Sequence, residues 1–440
     1  MTKKIAGLDY VTIEFNKSGD RINPGDGLVP AGCTDLIVIS HGWHSDPAPS
    51  QKLYETLLGN LVSLPGFPTA GRTFAVAGIF WPSDKYSDDL SHETKVVLGA
   101  GAAAAATDSD LNEEVLVHRA KEVAKFLGID EQEFVKRVLL AEGGGKDADR
   151  LVDILRDHMG EPEDEQTEID HADLLKLPGR QIFEALKLQG MPALAPPKPP
   201  ADTGGAATAG ENGGVDETAG AAASLFSGAK AALAKLLNQA AYFELKNRAG
   251  KIGEKLGILL NDVPEPVRIH LIGHSFGARL VTSAARKLER PAASMCLLQA
   301  AFSHNSFCDH IKYPFNGTIK GGFRDVITTG RIAGAIAITH TWNDRAVGVA
   351  YPAASRVSQD VAAGLSTSDG FGGTRDAYGG LGANGAMGMQ ANEGSNMEYN
   401  GKSAILLPAG KVTSILSDFI SCHTDVARIE VARIVAAAVK

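Results

Sequence analysis

The sequence predicts an α/β protein, with a mostly parallel sheet flanked by helices and broken by a large helical insertion that carries a disordered linker. Three observations lead there. Two short runs, DLIVIS at 35–40 and FAVAGIFW at 74–81, are almost continuously apolar, the pattern of strands buried on both faces. A third apolar stretch, from Val267, passes through the turn Gly273-His274-Ser275-Phe276-Gly277 straight into a helix. Between residues 85 and 238, by contrast, the strand pattern stops and helical periodicity replaces it.

A chain of 440 residues, 44% of them hydrophobic, has room for one large α/β domain plus an insertion. The formal net charge of -9 argues against a nucleic-acid partner held by phosphate attraction. The four cysteines, Cys33, Cys296, Cys308 and Cys422, form no C-x-x-C pair, so no metal site is expected. Cys33 and Cys296 border or sit in apolar runs, as buried free thiols of a reducing compartment do. The N-terminus MTKKIAGLDYVT has no apolar core of a signal peptide. The longest low-polarity run, Val96 to Ala106, is too short to span a bilayer. A soluble, cytoplasmic protein is expected, with signal-less export left open.

Taken in order, residues 8–15 (LDYVTIEF) alternate like an edge strand, and 35–40 form a buried strand that ends in His41-Gly42-Trp43. The helix QKLYETLLGNLVSL follows, with Leu53, Leu57 and Leu61 on one face. Pro82 stops the strand at 74–81. Helices are expected from Leu111 to Leu188. One has a complete start signal: Asp130 as N-cap, Glu133 three residues on, and Ile129 placed to staple onto Phe134. Residues 191–222, rich in Pro, Gly and Ala, read as an exposed linker without fixed structure. Helix resumes over Ala223 to Leu260. The domain reading is therefore 1–84 and 239–440 as two parts of one sheet domain, with 85–238 inserted as a lid-like or partner-binding block. After the turn at 273–277 come strands at 294–299 (SMCLLQ) and 334–341 (GAIAITHT). An apolar run at 404–408 and a terminal helix over Val426 to Val439 follow. Gly99-Ala100-Gly101-Ala102 lacks the preceding buried strand and the acidic partner of a dinucleotide fingerprint, and reads as an Ala/Gly hinge or Ala-rich helix.

Gly-x-Ser-x-Gly between a strand and a helix is the pattern of a nucleophile elbow, with Ser275 at its apex and Gly273 and Gly277 where side chains would collide. An activated serine needs a histidine base and a carboxylate to orient it, both on loops beyond the C-terminal ends of later strands. Asp344, in HTWNDRAV, fits the acid best. Asp309, after the preceding strand, is the reserve, and Asp418 is weaker. His423, after the last strand-like run and before the terminal helix, fits the base, with Thr424 or Asp425 available to cap that helix. An oxyanion hole needs two backbone N–H donors. Phe276, next after the serine, supplies one. Trp43 is expected to supply the other, and Gly42 lets that loop approach closely.

SHGW after a strand, GHSFG after a strand, THTWNDRAV and the late SCHTD together resemble the α/β-hydrolase superfamily, specifically its lipase- and esterase-like members. The resemblance covers 8–83 and 240–440. It implies Ser275 as nucleophile, Asp344 as acid, His423 as base and Trp43 and Phe276 as oxyanion donors, with no metal or organic cofactor. The expectation is a serine hydrolase cleaving carboxylic esters, lipid-like or otherwise apolar. The lipid reading rests on the insertion, where Leu225, Phe226, Leu233, Leu236 and Leu237 could offer an apolar face to a substrate or membrane surface. Two alternatives stand beside it: a phospholipase or toxin-like effector, and a non-catalytic scaffold that binds a protein partner through the insertion.

Overall fold

A computed structural model describes residues 3–24, 27–42, 47–83, 113–160, 176–188, 228–313, 317–352 and 373–440. Trp43, Leu225, Phe226, the run 96–106 and the expected linker 191–222 lie outside these residues.

Strands β1 (Lys3–Ile5), β2 (Leu8–Glu14), β3 (Asp35–Ser40), β4 (Phe74–Phe80), β5 (Arg268–His274) and β6 (Ser294–Leu298) are followed by a small hairpin of β7 (Ile311–Tyr313) and β8 (Gly317–Ile319). Then come β9 (Ile336–His340), β10 (Gly394–Glu398) and β11 (Val412–Leu416). Among the described residues the α-helices are α1 (Pro47–Val62), α2 (Glu113–Leu127), α3 (Glu131–Ala141), α4 (Gly145–His158), α5 (Gly179–Leu188) and α6 (Ala229–Leu260). They continue with α7 (Phe276–Lys287), α8 (Arg324–Thr328), α9 (Leu381–Asn384) and α10 (Ile429–Ala438).

Nine strands form one mixed sheet in the order β1-β2-β4-β3-β5-β6-β9-β11-β10. Only the β1–β2 pairing is antiparallel; the other seven pairings in that order are parallel. The protein is thus of the α/β class. Side chains of the central strands alternate between two layers. Leu36 and Val38 face a core shared with α6 and α7, while Ile37 and Ile39 face one shared with α1 and α10.

Several expectations are corrected. The strand at residue 8 is only half an edge, because β1 covers Leu8 to Tyr10. The apolar run 404–408 is not a strand: Pro408 has no N–H to give a ladder, and Leu406 is 90% exposed. The strand that leads to His423 is instead β11, whose Thr413 and Ser414 are buried although they read as polar. Its neighbour β10, GSNME, is a polar edge strand without apolar alternation.

Between β4 and β5 the described elements are all helical. The expected start signal is present: the Asp130 carboxylate accepts from the Glu133 N–H at 2.9 Å, and Phe134 is fully buried. The boundary placed at residue 238 falls inside α6, which runs unbroken. Leu233, Leu236 and Leu237 are fully buried in the core beneath the insertion helices, so they offer no apolar face to a membrane or substrate surface. Helix α6 lies unusually close to α7. A Cβ at Gly253 would sit 2.2 Å from the Leu280 carbonyl oxygen, and one at Gly257 2.3 Å from that of Ala284. Arg279 of α7 also donates to the Lys246 carbonyl of α6 at 2.8 Å.

The N-terminal edge of the sheet is tied by a buried charge. Burial opposes ionisation of Asp35, but His270, Arg72, Arg268 and Thr34 surround it and hold its carboxyl well below the usual range. Arg72 also donates to the carbonyls of Val439 and Lys440, fastening α10 to this edge. All four cysteines are free, with Cys296 and Cys308 buried, Cys33 half-buried and Cys422 exposed. Among the described residues no helix is long and apolar enough to cross a membrane.

Candidate active site

Because the strands run parallel, their C-terminal ends share one edge, and the loops leaving β3, β5, β9 and β11 meet there. Ser275 links β5 to α7 with φ 57° and ψ -123°, a conformation L residues rarely adopt. The turn is secured on both sides: the Ser275 N–H donates to the Leu298 carbonyl at 3.0 Å, and its carbonyl accepts from the N–H groups of Ala278 and Ala301.

The glycines allow this turn to form. A Cβ at Gly273 would lie 2.4 Å from the Gly277 carbonyl oxygen, and one at Gly277 2.3 Å from that of His41. Gly42 is just as tight, and against the nucleophile itself, since its Cβ would lie 2.3 Å from that of Ser275. The loop carrying Gly42 is itself fixed. The His41 N–H donates to Tyr54 Oη at 2.7 Å, the Trp81 indole donates to the His41 carbonyl at 3.1 Å, and the His41 ring stacks on Trp81.

The three residues expected to act together do meet. His423 Nε2 lies 2.8 Å from Ser275 Oγ, and His423 Nδ1 lies 2.8 Å from Asp344 Oδ2. A carboxylate can only accept, so Nδ1 carries the proton and Nε2 is left to accept from the serine hydroxyl. Asp344 is fully buried, Ser275 is 2% exposed, and His423 is partly open to solvent. The second carboxylate oxygen of Asp344 accepts the Val347 N–H at 3.0 Å. Gln299 Nε2 reaches Asp344 Oδ2 at 3.1 Å.

The acid and base loops are cross-tied. Asn343 Nδ2 donates to the carbonyls of Asp418 and Ile420, and Thr341 Oγ1 donates to Asp418 Oδ1. Asp418 therefore braces the loops without touching the histidine ring. Asp425 does not cap the terminal helix, which begins after Arg428; its carboxylate accepts both the N–H and the hydroxyl of Ser421 and shapes the turn around His423. Asp309, the reserve acid, is engaged elsewhere, with Arg324 and His310.

Phe276 is the first residue of α7, where helix N–H groups and the positive end of the helix dipole face the serine. Its ring packs edge-on against Tyr242 of α6, which packs in the same way against Tyr351, so α6 touches the site directly. Trp43, the other expected oxyanion donor, lies outside the described residues.

Two contributors were not anticipated. His274, which reads as the variable position of the turn, sends Nε2 to the His423 carbonyl at 2.8 Å, and the two rings lie 4.9 Å apart. Gln299 looks like the end of a buried strand. The signal available in the sequence is a long polar side chain closing an apolar run at the site edge. Among the described residues no cluster of three or more His, Cys, Asp or Glu could hold a metal ion. No protein-family model, no curated protein and no solved structure matches this chain.

Proposed function

We propose that this protein is a serine hydrolase of the α/β-hydrolase type that cleaves carboxylic esters through an acyl-enzyme. The observation that carries the reading is the continuous hydrogen-bonded line from Ser275 through His423 to Asp344, with both links at 2.8 Å. Such a line lets Oγ attack a carbonyl carbon as Nε2 takes its proton. Asp344 keeps the ring in the Nδ1–H tautomer and stabilises the imidazolium that forms. The negative oxygen of the tetrahedral intermediate would be met by the Phe276 N–H and by the Trp43 loop. His423 then returns the proton to the leaving alkoxide, and a water activated by the same ring releases the acid.

The acyl group is left unassigned. Leu233, Leu236 and Leu237, on which the lipid reading partly rests, are buried, so membrane contact loses that support, whereas the ester chemistry rests on the triad alone. A fluorophosphonate probe tests the reading, because it labels only an activated serine. Labelling of the wild type that disappears in Ser275→Ala, together with hydrolysis of p-nitrophenyl esters, is the expected result. Equal labelling of both proteins, or none of either, would overturn it and favour a scaffold that binds a protein partner.

A further inference from the structure

We propose that Gln299 is a positioning residue that fixes the Asp344 carboxylate for His423, an inference that rests on the reaction proposed above. Gln299 is fully buried just beyond β6. Its Nε2 donates to Asp344 Oδ2 at 3.1 Å and to the Gly382 carbonyl at 3.0 Å. Both partners only accept, so the amide has one orientation; turned over, its oxygen would face two others.

The residue is held there against its own preferences. Its φ is 45°, in a region that residues other than glycine avoid. Its Oε1 is buried with no partner among the described residues. Backbone strain of this kind collects where the surroundings impose a geometry. The surroundings here are specific. The Gln299 N–H donates to Thr339 Oγ1 on β9, the strand that leads to Asp344. Gly382 of α9 sits so close that a Cβ would lie 2.5 Å from the Gln299 carbonyl carbon. Its own N–H donates to Ala300, and its carbonyl also accepts the Thr341 N–H. The short helix α9, flanked by Gly380 and Gly385, is thus wedged between the ends of β6 and β9, and through Gln299 it sets the acid.

The consequence is both geometric and electrostatic. With the Val347 N–H on Oδ1 and Gln299 and His423 on Oδ2, the carboxylate cannot rotate. Removing the amide leaves Oδ2 to His423 alone. The carboxylate becomes a stronger acceptor and holds the imidazolium more firmly, so the base is recovered only at higher pH.

Gln299→Met keeps the length and removes the donor, and Gln299→Glu keeps the shape and adds a negative charge once ionised. Turnover of a short p-nitrophenyl ester is measured across pH, with Tm and fluorophosphonate labelling alongside. The expected result for Gln299→Met is a fall in kcat of about tenfold or more with KM nearly unchanged, and an acidic limb of the kcat profile moved to higher pH. Gln299→Glu should move that limb further the same way, and it supplies the reading if the methionine variant does not fold. An unmoved limb in a folded variant, whether kcat stays at the wild-type value or falls along with Tm, overturns the proposal while leaving the triad intact. A wild type that neither labels nor turns over overturns both readings.

Discussion

The backbone of Gly42 is pressed against Ser275, so that a Cβ on Gly42 would stand 2.3 Å from the serine Cβ and 2.9 Å from its Oγ. No side chain fits between β3 and the nucleophile. Gly42→Ala must therefore displace either the loop or the serine. A shift near 1 Å at a reacting atom costs about 10²-fold in rate. The variant should lose on the order of 10²-fold in fluorophosphonate labelling rate, and wild-type labelling would show that the contact is slack.

Asp344 and Asp309 separate cleanly by position. Asp344→Asn preserves shape but favours the wrong imidazole tautomer, and kcat should fall on the order of 10⁴-fold. Asp309→Asn should leave kcat close to wild type, since that carboxylate pairs with Arg324 and His310 instead. Steady-state kinetics on the two variants decides the assignment. Loss of turnover in Asp309→Asn with Asp344→Asn active would reverse it.

Stability should fall on acidification. Burial pushes the His304 and His340 rings down to about 4, with the charge of Asp376 opposing this at His304. Unfolded, each titrates near 6.5. The unfolded chain thus binds protons that the folded one refuses, and stability rises with pH between those values. Their contribution is complete above roughly pH 6.5 and is lost towards pH 4, roughly 3 kcal/mol for each ring. His304 Nδ1 accepts from Asn384 Nδ2 at 3.1 Å, a bond that protonation would destroy. Urea unfolding at stepped pH should show this decline, and a His304→Gln variant should flatten it. Identical slopes in the two proteins would remove His304 from the account.

The close approach of α6 to α7 gives a stability test away from the chemistry. Gly253→Leu forces atoms into a space that already brings a Cβ within 2.2 Å of a carbonyl oxygen. Overpacking of this sort costs about 1–3 kcal/mol, which calorimetry would read as a lowered Tm. Leu406→Ala, on a 90% exposed side chain, should change stability by less than about 0.5 kcal/mol. A Tm for Gly253→Leu equal to that of the wild type would mean that the helices separate freely.

Much of the sheet could be read from residue order because its central strands are apolar and end in chemically unusual loops. Ser275 stands between glycines that only a sharp turn requires, and Asp344 follows an apolar run that ends at the same edge; His423 instead follows β11, not the run at 404–408. What escaped reading was encoded in polarity the fold conceals. Thr413 and Ser414 lie buried inside a parallel strand, where Ser414 Oγ accepts the Ala386 N–H while Thr413 Oγ1 has no partner among the described residues. The glycine-rich stretch near Gly382 has no period because its glycines answer to neighbours far away in sequence rather than to a local repeat. The apolar face of α6 was legible as apolar, but periodicity alone does not say what covers it.

The sheet order has a further consequence. In the nine-stranded sheet, every strand preceding the helical block lies on one side of the β3–β5 pairing, and every strand following it lies on the other. The sheet is therefore two contiguous pieces that meet at one seam, the β3–β5 pairing, with Gly42 contributed by one piece and Ser275, Asp344 and His423 by the other. A chain severed between β4 and β5 would yield complementary halves, neither of which holds the whole candidate site. Joining them would restore the contact at the seam, so that recovered turnover would report reassembly.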